Sequence, residues 1–186
     1  MAESELQELQ REQQRHDERF HRDVYYLAYP RRMAHLVFHV AKYAGRAWPL
    51  AAQETPAAPV FKKILVDTFI VSLSACEILN LDLDSAIGGS SSDAKRPTVR
   101  EWGKRIARQN QAEPRSWLDS TIPHLAMLAK AMESLDHIEP TDSRKLLTDG
   151  FVAILKATIA ASWVLQLDLA AETRKRWQEI ETKRVL

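Results

Sequence analysis

Apolar residues recur at three- and four-residue intervals along most of the chain, the period of helices seated on one face. In residues 3–28 the stripe begins thin, with Leu6 and Leu9, and fills out with Phe20, Val24 and Leu27, on a background of Glu, Gln and Arg that favours helix. An amphipathic N-terminal helix is expected there, either a solvated leader or a helix that clasps a partner. After Pro30 a second helix is expected over 31–48, with Met33, Leu36, Val37, Val40, Ala41 and Ala44 inward and Pro49 ending it. Residues 50–59, which hold Pro56, Pro59 and several alanines, read as a connector. Residues 60–81 are apolar nearly all round between Ile64 and Leu79, which puts that helix at the centre of the core.

The run GGSSSDAKRP at 88–97 reads as a flexible loop and the best boundary in the chain. Beyond it the pattern predicts a basic helix over 99–111, a helix over 123–135 opened by Pro123, and one long helix over 143–183 with Thr141 or Asp142 as its N-cap. No segment alternates with period two as a half-buried strand does. The expectation is an all-α bundle of five to six helices. Its parts are an N-terminal helix in 1–28, a first hairpin in 29–87, the loop 88–97, and the second half of the same bundle in 98–186.

Composition supports this and narrows the chemistry. A chain of 186 residues, 45% hydrophobic and 27% charged, can bury a real core, and five Gly and eight Pro are few for an all-β fold. The 26 Lys+Arg against 25 Asp+Glu leave a net charge of +1, so no global field draws nucleic acid or an anionic membrane, and neither is an expected partner. The single cysteine, Cys76, excludes a disulfide framework and lies in an apolar run, as a small core residue does. A polar N-terminus and apolar runs short of a membrane span lead to a cytoplasmic expectation.

Two stretches read alike. Asp67-Thr-Phe-Ile-Val and Asp149-Gly-Phe-Val-Ala each follow an aliphatic-rich turn, each opens a long apolar helix, and each helix closes at Leu-Asp-Leu, Leu81–Leu83 and Leu167–Leu169. The aspartate spacings are 15 and 19 residues, a difference of one helical turn. The helices before them correspond loosely, His35-Leu-Val-Phe-His39-Val-Ala-Lys42 with His124-Leu-Ala-Met-Leu-Ala-Lys130. An internal pseudo-repeat of helical hairpins is one reading, and chance likeness among apolar helices the other.

An apolar helix, then a helix opened by x-Leu-x-Asp, closed by Leu-Asp-Leu and followed by a basic Trp-containing run, resembles the MazG-type all-α nucleotide pyrophosphohydrolases. The likeness is strongest over 146–184. It implies a helical bundle, often built from two chains, that binds nucleoside triphosphates and cleaves them to the monophosphate and pyrophosphate with Mg²⁺. In the family, Glu-x-x-Glu on one helix and Glu-x-x-Asp on the next hold the metal, a hard cation that prefers oxygen ligands. The first motif falls here on His39-Val-Ala-Lys42. The second falls on Ile64-Leu-Val-Asp67, or on Leu146-Leu-Thr-Asp149 in the other half. The resemblance puts the family's phosphate-contacting run on Arg176 and Lys183, with Ile180 in place of an asparagine.

Only Asp67 and Asp149 survive from the carboxylate motifs, as the candidate catalytic acids, with Glu77 and Asp82 as further acids near the first. Lysine and isoleucine do not ligate Mg²⁺, so the standard metal site reads as lost and Mg²⁺ is expected only if the site is active. A carboxylate on an apolar stripe needs a counter-charge. The expected one is the Lys42 ammonium beside Asp67, with His39, and Lys130 beside Asp149. The candidate ligand-binding residues are thus His39, Lys42, Lys130, Arg176 and Lys183. His35 and His39, four apart, could instead chelate a transition metal with Asp67, Glu77 or Asp82.

The basic face of Lys95, Arg96, Arg100, Lys104, Arg105, Arg108 and Arg115 around Trp102, and the terminal cluster Arg174, Lys175, Arg176, Lys183 and Arg184, read as phosphate contacts or as ion-paired surface. The expected function is a MazG-like nucleotide-binding protein with a degenerate metal site. The alternative is a helical adaptor. The expected partners are a nucleotide and a second copy or another protein held through the N-terminal helix.

Overall fold

The computed structural model describes residues 3–51, 59–89, 96–113, 116–137 and 139–183. Most of the 88–97 loop, together with Lys95, Pro114, Arg115, Arg184 and the middle of the 50–59 connector, lies outside the described residues. The described residues are helical, with no strand among them, as the apolar periodicity predicts. The elements are α1 (Glu5–Phe20), α2 (Arg22–Tyr25), α3 (Tyr29–Ala51), α4 (Pro59–Ile78), α5 (Leu83–Ala86), α6 (Val99–Asn110), α7 (Ser116–His137), α8 (Ser143–Val164) and α9 (Leu169–Lys183). The nine among the described residues exceed the expected five to six because two expected helices divide in two and a single turn, α5, follows α4.

Helices α3, α4, α8 and α7 close a four-membered ring in which each touches the next, with α4 and α8 meeting along the centre. Both helices carry small buried hydroxyl residues. Thr68 and Ser72 on α4, and Thr158 and Ser162 on α8, are buried and each donates its hydroxyl to the carbonyl four residues back, at 2.7–2.9 Å. These four hydroxyls are thus satisfied within their own helices. Helix α1 lies on α4, and α6 lies on α8.

The two halves share end signals. Helix α1 opens with a capping box of Ser4 and Gln7, and α6 with one of Thr98 and Glu101. Helices α4 and α8 close the same way: Asn80 and Gln166 take left-handed φ values of 52° and 54°, and Leu81 and Leu167 donate to the carbonyls of Cys76 and Ser162 at 3.0 and 2.9 Å. This is the Schellman closure, and in both cases the next residue is the aspartate of Leu-Asp-Leu. The halves differ in tightness. In the second, Gly103 and Gly150 let neighbours in: a Cβ on Gly103 would lie 2.8 Å from Trp163 Cβ and 2.9 Å from the Ile159 carbonyl oxygen.

Four expectations about boundaries are corrected. The N-terminal helix breaks at His21 rather than running to residue 28. Pro49 sits inside the last turn of α3, where it forfeits one bond to the exposed Gly45 carbonyl, and does not end the helix. Pro123 lies inside α7, not at its start, because burial of Trp117, Leu118 and Thr121 carries the two turns before it. The expected helix 143–183 is two helices broken at Leu165–Asp168, where the Asp168 carboxylate accepts from the Ala171 N–H at 3.0 Å. Helix α8 is also long and apolar enough, by length and composition, to cross a membrane, contrary to the reading of the apolar runs, and 56% of its most apolar window is buried inside the fold.

The first half of α1 docks although its apolar stripe is thin, because polar residues continue it. Leu6, Leu9, Gln10, Gln13 and His16 are all buried on one face. Gln10 donates to the Leu81 carbonyl at 3.3 Å, and Gln13 accepts from the Trp177 indole N–H at 2.5 Å and donates to Asp17 at 2.8 Å. The Asp17 carboxylate in turn accepts from the Ser74 hydroxyl of α4 at 2.6 Å.

Candidate functional site

A cleft of about 410 Å³ opens where α1, α2, α3, α4 and α9 converge. Helix α3 contributes Arg32, His35, His39, Lys42, Tyr43 and Arg46 at helical spacing, α4 contributes Lys63 and Asp67, and α9 contributes Arg176 and Ile180. The break at Leu165–Asp168 is what turns α9 back along α4 and carries Arg176 to this place.

Asp67 is buried in the floor, 9% exposed, as its position on the apolar stripe predicts. Its counter-charge is Arg176, with Nε 2.7 Å from Oδ1. The same guanidinium reaches Glu179 at 3.1 Å. The expected pairing with Lys42 is therefore corrected: the Lys42 ammonium feels the Asp67 charge but makes its hydrogen bond to His39 Nδ1, at 3.3 Å, and lies over the Tyr43 ring, 4.7 Å from its centre. A planar guanidinium loses less on burial than a compact ammonium, which suits it to the deeper position.

Electrostatics around the cleft follow first from burial and then from the charges that line it. Burial, with Lys42, His35 and His21 adding repulsion, pushes His39 down to about 4, so it is a neutral imidazole at pH 7. His35 is lowered as well, mainly by burial. Lys42 is lowered by burial and by Arg46, against the pull of Asp67. The Tyr43 hydroxyl is raised, first by burial and then by Asp67, and it meets His39 Nδ1 at 3.2 Å. Among the described residues Lys42, Arg46 and Lys63 make no ion pair, so the cleft presents cations to solvent with Asp17 and Asp67 as its acids.

The structure thus brings together His35, His39, Lys42, Asp67 and Arg176, and leaves five expected residues elsewhere. Asp149 is exposed on α8 and pairs with Lys145, because the inward positions of that turn are Leu147, Gly150 and Phe151. Lys130 pairs with Glu139 at 2.7 Å and Glu133 at 3.1 Å, not with Asp149. Lys183 is exposed at the end of α9. Glu77 lies ten residues beyond Asp67 on α4, about 15 Å along the axis. Asp82 caps α5 and accepts from Ser85 at 2.6 Å and Gln7 at 3.0 Å.

Arg46, Lys63, Tyr43, Asp17 and His21 were not singled out in the sequence, and their convergence depends on how α1 and α4 dock. Of the basic face around Trp102, Arg96 pairs with Asp84 at 2.8 Å, the indole is 3% exposed with Arg105 over its ring, and Arg100, Lys104, Arg105 and Arg108 are exposed. Cys76 is fully buried and its thiol is pushed up to about 12 by burial, as a core residue's would be.

The donors do not fit the Mg²⁺ that the family resemblance implies. Asp67 is the one carboxylate at the expected metal position, its Oδ1 is engaged by Arg176, and Lys42 and Ile64 offer no ligand oxygen. Comparisons with protein-family models, curated proteins and solved structures find no match for this chain.

Proposed function

We propose that the chain is a MazG-like nucleotide-binding protein of the cytoplasm in which built-in cations stand where the related pyrophosphohydrolases hold metal, and that it binds a phosphorylated nucleotide without cleaving it. One observation carries this reading: Lys42, Arg46 and Lys63 face the same cleft as the Arg176–Asp67 pair, without acidic partners of their own among the described residues. Three cations without an ion pair among the described residues, around a concave site about the size of a small ligand, suit a polyphosphate, which accepts charge-assisted hydrogen bonds from each.

Turnover is disfavoured on the same geometry. Hydrolysis between the α and β phosphorus atoms needs a group that activates water, and the Asp67 carboxylate is engaged by its arginine while burial beside an ammonium leaves His39 a weak base. The adaptor reading draws on Phe38 and Trp48, 71% and 64% exposed on α3.

The test is a thermal-shift and pyrophosphate-release screen of the purified chain against the common nucleoside triphosphates, with and without Mg²⁺. A shift that does not need Mg²⁺, with no pyrophosphate released, supports binding. Release that Asp67→Asn abolishes overturns the degenerate site. No shift with any nucleotide transfers the weight to the adaptor.

A further inference from the structure

Where α1 ends, at the edge of the cleft, His16, Asp17 and His21 each turn one ligand atom towards a common point. The two imidazole nitrogens and the carboxylate oxygen all lie within 4.8 Å of one another. We propose that these three residues hold a divalent transition ion of the zinc class, independently of whether the cleft takes a nucleotide.

The strongest observation is His16. Its side chain is 6% exposed, and both Nδ1 and Nε2 are buried without a hydrogen-bond partner. A buried imidazole with two idle nitrogens forfeits the hydrogen bonds it made to water, and an ion bound at one nitrogen recovers that nitrogen's share of the loss. The ring is held in place by Trp177, stacked at 6.0 Å between centroids, and by Phe20 at 5.0 Å, so its direction is fixed before any ion arrives.

Asp17 supplies the negative charge, and its position is set by Gln13 at 2.8 Å and Ser74 at 2.6 Å. Such outer hydrogen bonds orient a metal-binding carboxylate rather than compete with it. Glu181 adds a second negative charge felt at His16. His21 belongs to the trio because α1 breaks there: its φ of −125° swings it out of the helical path. The ligand atoms of a tetrahedral zinc site sit about 3.4 Å apart, given bonds of about 2.0–2.1 Å, so small rotamer adjustments close the site.

Two imidazoles and one carboxylate select a borderline ion such as Zn²⁺ over Mg²⁺. Asp17 and His21 also line the cleft, so a fourth coordination position would face it. The pair His35 and His39 is a poorer choice: the rings are 4.5 Å apart, but Lys42 sits on His39 and repels a cation.

The test is Zn²⁺ alone, titrated into the metal-stripped full chain against a chromophoric chelator, with Co²⁺ absorbance as a second readout. One ion per chain is expected. His21→Asn and Asp17→Asn should each weaken binding at least tenfold, while His137→Gln, at the far end of α7, should not. His16→Gln is informative if it folds, and the other two variants decide the matter if it does not. Absence of binding, retention of full affinity in either His21→Asn or Asp17→Asn, or loss in His137→Gln would overturn the assignment.

Discussion

The Arg176 guanidinium stands 2.7 Å from the Asp67 carboxylate although 109 positions of sequence separate them. Both side chains are largely buried, 19% and 11% exposed, so each is the other's main compensation for leaving water. Removing one member of such a pair strands the other. Arg176→Met should therefore cost about 3 kcal/mol in urea denaturation. Asp67→Leu with Arg176→Met should recover most of it, since an apolar pair carries no desolvation penalty. A single-variant loss below about 1 kcal/mol would mean water reaches the pair and the cleft floor is wetter than its burial indicates.

Phosphate binding makes a separate demand on the exposed cations. Lys42→Ala and Lys63→Ala should each weaken triphosphate affinity by roughly tenfold, the loss of a hydrogen bond to a charged group. Lys130→Ala and Lys183→Ala should leave it unchanged, because the first is engaged with Glu133 and Glu139 and neither lines the cleft. Calorimetric titration at two salt concentrations checks both, and equal losses in all four would point to diffuse attraction instead of a site.

How far the sequence discloses this arrangement depends on the range of each interaction. Periodicity is local, so the helical class, the centrality of α4 and the Leu-Asp-Leu ends can be read directly. The charge partner of Asp67 is not local. The four-residue spacing from His35 through His39 and the neighbouring Lys42 suggests an ammonium as counter-charge, yet α9 delivers a guanidinium. That delivery requires a break at Leu165–Asp168, which an unbroken apolar pattern conceals. The repeated Leu-Asp-Leu marks it, since the same triplet ends α4. Asp149 misleads for a related reason: equal text does not fix which face of α8 looks inward. The His16–Asp17–His21 grouping has no helical-face spacing at all, because it forms only where the helix stops.

The matched helix ends give a stability prediction. Gln166 holds a φ of 54° at the end of α8, where a side chain crowds its own carbonyl. Gln166→Gly should raise stability by about 1 kcal/mol, the relief of that crowding less the extra freedom of the unfolded glycine. Asn80→Gly, at the equivalent position of α4, should gain less, since asparagine tolerates the left-handed region. Paired urea melts compare them, and an equal gain at both sites would show that residue identity there does not matter.

The second half of the bundle should resist added bulk. A methyl group on Gly103 would meet Trp163 Cβ at 2.8 Å and the Ile159 carbonyl oxygen at 2.9 Å, one of them backbone and neither able to swing aside. Gly103→Ala gains about 1 kcal/mol of helix propensity and loses more to overpacking, of order 1–3 kcal/mol. A net fall in the melting midpoint is expected, with α6 loosened from α8, and a rise would show that the two helices can slide apart without penalty.

Acid should act first through the histidines. His39 ionises in the fold at about 4 against an ordinary value of 6.5, so above pH 6.5 it is neutral in both states and contributes nothing. As pH falls from 6.5 to about 4, the unfolded chain takes up a proton that the native cleft refuses, and stability drops. Below about 4 the native form protonates too and this contribution stops growing. His16 and His35 are lowered in the same direction, so their contributions too are lost as pH falls below 6.5. Asp82 behaves oppositely: the Ser85 hydroxyl holds it below its ordinary 3.8, so its contribution survives the histidine window and is lost only in stronger acid. Urea midpoints measured from pH 7.5 to 3.5 should therefore decline mainly between 6.5 and 4, and His39→Gln should flatten part of that decline. A profile unchanged by His39→Gln would show that Lys42 moves away on protonation and that the cleft does not hold its cations as closely as the geometry has them.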